Sequence, residues 1–309
     1  MNNLQRTLSR QISSIRRFFQ DLLSHPQSAI GTILVLFFLI LALFGTQIAP
    51  YPNPNDQSHD VRVEPTLDIS SLSLGEYPFG TDRLGRDVFS RVILGTSSIF
   101  RIAGIGTLVA VLIGTGIGLF MGYMGGIIDE VLGRLIDAML ALPALLLALV
   151  LVGIIRNLDF DPGTWQSSLG NNAVLLVIAI LYVPIVARVV RSTTLDIKTR
   201  EFVEAAVIRG ETAFYIMFRE ILPSVIPSLV VEASLRFSYA IFLVASLGFL
   251  GFGARPPSPD WGLMVSENRG GLYTITPWAL EYPAIAIAIL VIGVNLMSDG
   301  IKRIVQKGE

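Results

Sequence analysis

The chain has 309 residues, of which 52% are hydrophobic and 15% charged, with 23 Lys and Arg against 24 Asp and Glu. A soluble globular protein carries about 25% charged residues, so this composition argues against a soluble enzyme; it also excludes a disordered chain, which needs low hydrophobicity, and offers no basic excess for nucleic acid. With no Cys and only His25 and His59, disulfides, thiolate or zinc sites and haem lack ligands, and no metal or bound cofactor is expected.

Charge-free runs locate the membrane. A spanning helix needs about 20 apolar residues, and six runs qualify, at approximately 30–49, 102–124, 136–155, 173–191, 228–250 and 282–298. They are apolar on every face, where barrel strands would alternate, so each is read as a helix that satisfies its own backbone in lipid. The first run is too long for a signal-peptide core and is read as an uncleaved span. Six spans put both termini on one side. That side holds most of the Lys and Arg, which places the termini in the cytoplasm. The expected order is a cytoplasmic arm (1–27), a first span (28–49), an external loop (50–101), a core of five spans (102–300) with a cytoplasmic loop (192–223), and a cytoplasmic tail (301–309).

Within the external loop, Gly80, Thr81, Asp82, Gly85, Arg86 and Asp87 form a dense polar run. Thr81 or Asp82 suits a helix cap, and Asp87 and Arg91, four apart, suit an ion pair on that helix. The second span carries Gly106, Ala110, Gly114, Gly118 and Gly122 at a spacing of four, hence on one face. Small residues there let another helix approach closely, inside the bundle or at a subunit interface. Arg134 and Asp137 form a candidate pair near the third span. Pro143 and Pro184 should bend the third and fourth spans.

The segment between the fourth and fifth spans carries the most information. Glu204, Ala205 and Ala206 favour helix. Gly210 can take the positive φ that ends one, and Glu211 and Thr212 suit the first turn of the next. Pro223 should stop that second helix or bend it into the fifth span. The expected product is a helix–turn–helix beneath the membrane, with an apolar side from Phe202, Ala205, Ala206, Phe214, Tyr215 and Phe218 that can dock into a partner's groove. In the fifth span, Glu232 and Arg236 sit four apart in the favourable order. They are either a structural pair or part of a translocation path or gate. Asn295 in the last span should bond a neighbouring helix. Pro256, Pro257 and Pro259 stiffen the outer loop before Trp261, which is placed to anchor at an interface. No phosphate-binding loop or nucleophile–base set is present.

Glu204-Ala205-Ala206, Gly210 four residues on, and Leu222-Pro223 resemble the E-A-A-x-x-x-G loop with trailing L-P of the membrane subunits of binding-protein-dependent ABC importers. Gly80 to Arg91 resembles the G-T-D-x-L-G-R-D-x-x-S-R signature of the dipeptide, oligopeptide and nickel branch, and Leu247 to Gly262 resembles the matching segment after the fifth span. The long outer loop and N-terminal arm point to the second, C-type permease of such pairs. The resemblance spans roughly residues 28–305. It implies an all-α type I importer bundle in the bacterial inner membrane, catalysing no bond chemistry. Implied partners are a homologous permease, two cytoplasmic ATPases that use ATP and Mg, and an external peptide-binding protein. It also implies that the 204–223 loop couples to the ATPase and that residues 80–91 order the outer loop or meet the binding protein. Nickel or another small solute is an alternative cargo. An autonomous secondary transporter or channel is the alternative class, though only one intramembrane ionisable pair supports it.

Overall fold

The computed structural model describes residues 20–67, 75–158, 170 and 172–307. Most of the N-terminal arm therefore lies outside the described residues, as does the end of the tail. The regular elements of the described residues are helices, with a single bridge between Thr81 and Asp87. They are α1 (Pro26–Ile48), α2 (Val88–Met124), α3 (Gly126–Leu140), α4 (Ala144–Asn157), α5 (Ala173–Ile197), α6 (Glu201–Ile208), α7 (Ala213–Phe249), α8 (Trp261–Glu267) and α9 (Trp278–Lys307).

Five of these, α1, α2, α5, α7 and α9, are long and apolar enough to cross a membrane singly. The sequence placed a sixth span at 136–155. The structure instead has two helices, α3 and α4, that meet at 92°, and only counting the bent pair as one span restores six. Pro143 is the cause: it stands at the N-cap of α4 in an extended backbone conformation (ψ 124°), where it cannot continue α3.

Helix α2 begins 14 residues before the expected second span, so the outer loop ends at Asp87 rather than near Arg101. The Asp87 carboxylate accepts from the Ser90 N–H at 2.8 Å and caps the helix, a role assigned from sequence to Thr81 or Asp82. Pro184 lies inside α5 without ending it, and α5 runs six residues past its expected limit.

The centre of the bundle is the contact of α2 with α5. A Cβ on Gly106 would lie 2.9 Å from Ile178, on Gly114 2.7 Å from Val186, on Gly118 2.5 Å from the Ala187 carbonyl oxygen and on Gly122 2.7 Å from Thr194. Partner numbers rise together along both helices, so they run parallel. Ala110 on the same stripe is fully buried. The small-residue face therefore packs inside the subunit. Helix α1 lies antiparallel to α9, with Gly31 against Met297 and Ser28 against Gly300. Ser238 of α7 donates to Asn295 of α9 at 2.7 Å, the interhelical bond expected of Asn295. The core thus lies between α2, α5, α7 and α9 (Val177, Ile178, Ile241, Leu247 and Leu290), while one side of α1 (Ile33, Phe37, Leu43) remains exposed as a lipid-facing surface would.

Candidate functional site

Two built regions stand at opposite ends of the bundle. At one end α5 leads through Arg200 into α6. The end of α6 is a Schellman turn: the Gly210 N–H bonds to the Val207 carbonyl at 2.9 Å and the Glu211 N–H to the Ala206 carbonyl at 3.2 Å. Gly210 has φ +78°, a conformation strained for any residue with a Cβ. The Thr212 hydroxyl then accepts from the Tyr215 N–H and caps α7. Arg209 ties the two arms together, at 3.6 Å from Glu211 and 3.2 Å from Glu220.

Of the two outcomes expected at Pro223, a stop or a bend into the fifth span, the stop does not occur. Pro223 has no N–H to give the preceding turn. The ladder instead widens to a π-turn at Ile216–Ile221, in which the Leu222 N–H reaches the Met217 carbonyl, and the helix continues. The second arm of the hairpin and the fifth span are therefore one continuous 37-residue helical rod.

The hairpin divides its apolar residues between two sides. Val203, Ala206, Ile216 and Ile221 are buried with Val190 and Ile197 of α5. Phe202, Val207, Ile208, Phe214 and Phe218 are exposed, Ile208 at 80%, and the Phe214 and Phe218 rings lie 4.5 Å apart. Glu204 and Ala205 are on the exposed side, while Ala206, expected on the docking face, faces the bundle.

A polar cap closes the other end. Thr81 is fully buried; its hydroxyl accepts from the Val63 N–H at 2.8 Å and donates to the Asp60 carbonyl at 2.7 Å. Trp278 of α9 donates its ring N–H to the Thr81 carbonyl at 2.9 Å. Gly80 and Gly85 each have φ +71°, and a Cβ on Gly85 would meet the His59 carbonyl oxygen at 2.4 Å. Asp82 accepts from Leu84 and Arg86 main-chain N–H groups and pairs with the Arg86 guanidinium at 2.6 Å, and Arg86 reaches Glu267 of α8 at 3.0 Å. The expected Asp87–Arg91 pair does not form. Arg91, 1% exposed, donates instead to Asn55 and to the carbonyls of Pro54, Pro257 and Ser258. The Trp261 ring N–H donates to the Val92 carbonyl at 2.8 Å, so Trp261 is a core residue of the cap rather than an interfacial anchor. Burial pushes the carboxyls of Asp87 and Asp260 above the usual range, with N–H donors of Ser90 and Leu263 pulling the other way. Thr81, Asp82, Arg86 and Arg91 are thus engaged with the 54–63 loop, with α8 and α9 and with the loop before α8.

Between these ends, Glu232 and Arg236 pair at 2.7 Å on α7. The Arg236 guanidinium also lies over Tyr182 of α5 and Tyr239, 5.8 and 4.9 Å from the ring centroids. Arg236 borders a groove of about 280 Å³ lined by Leu145, Tyr182, Tyr239, Phe242 and Ser246. Arg134 and Asp137 do not pair with each other. Arg134 meets Glu130 at 2.6 Å, Asp137 meets Arg188, and Asp129 meets Arg191 at 2.6 Å, so two of the three pairs tie α3 to α5. The i,i+3 spacing suggested a local pair; packing of α3 against α5 instead sets Asp129 and Asp137 beside Arg191 and Arg188. No group of His and acidic side chains among the described residues is arranged to hold a metal ion.

This architecture defines a class. It matches a chain in the inward-facing structures of the MetNI methionine ABC transporter with a TM-score of 0.56 at 20% identity, over 70% of this chain and 97% of that one. The fold is that of a multi-pass ABC-importer permease. Residues 114–308 match the family described as binding-protein-dependent transport system inner membrane component, and residues 13–65 match the N-terminal TM domain of oligopeptide transport permease C. The chain belongs to the family of binding-protein-dependent transport system inner membrane components, a family of transport subunits rather than enzymes. It is 34% identical to the dipeptide transport system permease protein of Alkalihalophilus pseudofirmus over 94% of this chain and 89% of that protein. It is 36% identical to the dipeptide permease of Haemophilus influenzae over 88% of each, and 34% identical to the glutathione transport system permease protein of Pectobacterium atrosepticum over 93% and 89%.

Proposed function

We propose that this chain is one of two homologous permease subunits of an ATP-driven importer of di- and oligopeptides, with its hairpin end in the cytoplasm. Relatives named for dipeptides and for glutathione, itself a peptide, support this cargo over nickel. The observation that carries the mechanism is the hairpin. Its exposed apolar residues are held on a capped turn whose second arm is continuous with a membrane-spanning rod. Such a surface fits a groove on a partner, as helix-in-groove contacts do. The partners are two ATPase subunits that use ATP and Mg. Their closure on ATP pushes Glu204, Ala205 and the exposed aromatic residues, and the π-turn before Leu222 and Pro223 passes the displacement to α7. Arg236 and the groove beside it move with that rod and form part of the pathway wall, with Glu232 holding the guanidinium. An external binding protein delivers the peptide at the cap end.

Glu204→Lys is expected to leave the protein in the membrane and to reduce peptide uptake by about tenfold or more, because the changed side chain is exposed and loses no described partner. Gly210→Pro is expected to do the same. It replaces a φ of +78° with one near −65° and removes the N–H bonded to Val207. Uptake of a radiolabelled dipeptide, with membrane content followed by immunoblot, checks both. Normal uptake with either variant would remove the coupling role.

A further inference from the structure

Three arginines at the cap end have a common surrounding that the cap does not use. Arg101 of α2, Arg156 of α4 and Arg255 of the loop after α7 line one cavity of about 140 Å³, with Asn172, Gly253 and Ala254 completing its wall. Arg156 donates to the Gly253 carbonyl, which fixes the loop against α4. Among the described residues none of the three pairs with a carboxylate, and the side chains of Arg101 and Arg255 make no hydrogen bond. The two buried arginines at this end are accounted for: Arg86 by two acids, Arg91 by the carbonyls of two loops.

Like charges facing one cavity repel, and the repulsion is relieved by an anion placed among them. Planar guanidinium groups match a carboxylate in shape and donor spacing. The cavity also has a position that matters for transport. It stands at the outer ends of α4 and α5, and the groove beside Arg236 is lined by the same two helices further down. From Leu145 in that groove to Arg156 in the cavity is 11 residues of α4, about 16 Å at the rise of a helix.

We propose that Arg101, Arg156 and Arg255 form an entry subsite that takes the C-terminal carboxylate of the peptide as it leaves the binding protein, above the Arg236 groove. This rests on the peptide reading given above. The Arg101 and Arg255 side chains are exposed and make no hydrogen bond among the described residues, so their replacement leaves the fold intact, whereas Arg156 also holds Gly253.

The test uses the complete transporter, both permeases and both ATPases, in proteoliposomes, with binding protein saturated by tri-alanine. Arg101→Gln with Arg255→Gln is expected to lower uptake about tenfold, the scale of losing charge-assisted bonds. Affinity of the peptide-free binding protein for the transporter should stay within about twofold, and Arg101→Lys with Arg255→Lys should recover most of the rate by restoring charge. Unchanged uptake in the glutamine variant would overturn the proposal. So would a parallel loss of docking, which would assign the arginines to acidic side chains of the binding protein. A wild-type transporter that moves no tri-alanine but moves another solute would overturn the peptide reading itself, and is told apart by the wild-type control.

Discussion

Gly118→Leu is expected to abolish accumulation of folded protein in the membrane, while Gly116→Leu, two residues away on the same helix, is expected to be tolerated. A Cβ on Gly118 would stand 2.5 Å from the Ala187 carbonyl oxygen, 2.7 Å from the Val190 Cβ and 3.0 Å from the Arg191 N. Two of those three atoms are backbone, so no side-chain rotation relieves the contact, and α2 and α5 must separate. Overpacking costs about 1–3 kcal/mol where side chains can adjust; where backbone must move, the shift also opens the contacts at Gly106, Gly114 and Gly122, and the total exceeds that range. Separation also pulls on Asp129–Arg191, which ties α3 to α5 beside the stripe. Gly116 has nothing within 4 Å of its Cβ position, and replacing glycine in a helix favours the helix. Monodisperse yield after detergent extraction reads the result. Equal yields from the two variants would show that the α2–α5 contact does not depend on the glycine face.

Arg91→Ala is expected to open the cap at a cost of about 3–5 kcal/mol. The side chain is 1% exposed and joins α2 to two loops distant in sequence, through Pro54 at 2.8 Å and Ser258 at 3.1 Å. Alanine leaves buried carbonyls without a donor and a cavity the size of the side chain. Arg91→Lys should recover only part of the loss, because one ammonium cannot span acceptors on both loops as the guanidinium fork does. Limited proteolysis of the purified protein reads the effect, with new cleavage around 53–58 and 255–260 in the alanine variant and a lowered unfolding temperature. An alanine variant as resistant as wild type would show that the loops are held by Trp261 and the Asp82–Arg86–Glu267 network without Arg91.

Much of this arrangement was legible in the residues. The helices at α1, α5, α7 and α9 follow from long charge-free runs, because in lipid only a helix can satisfy its own backbone. Gly210 at the hairpin turn follows from its freedom to take positive φ; the Glu232–Arg236 pair and the small-residue face of α2 follow from spacings of four on a helix, a local periodicity that sequence displays directly. Local spacing failed where a distant partner competed. Asp87 and Arg91 have the spacing of an ion pair, yet Arg91 has several acceptors on loops that folding brings within reach, and Asp87 has the first N–H groups of α2. Arg134 and Asp137 were separated in the same way by α5. Arg101, Arg156 and Arg255 lie far apart in the chain, and nothing in their local spacing brings them together; only packing sets them around one cavity.

Composition and periodicity alone determined that this is a helical membrane protein without thiols, and the spacing of Glu204, Ala205, Ala206 and Gly210 pointed to its family, because these properties are written in neighbouring residues. Tertiary structure decided which cations are paired and which are not, that α3 and α4 meet at 92°, and that the second arm of the hairpin and the fifth span form one rod. Those outcomes depend on which acceptors lie within about 3 Å after the helices pack, a quantity set by residues far apart in the chain.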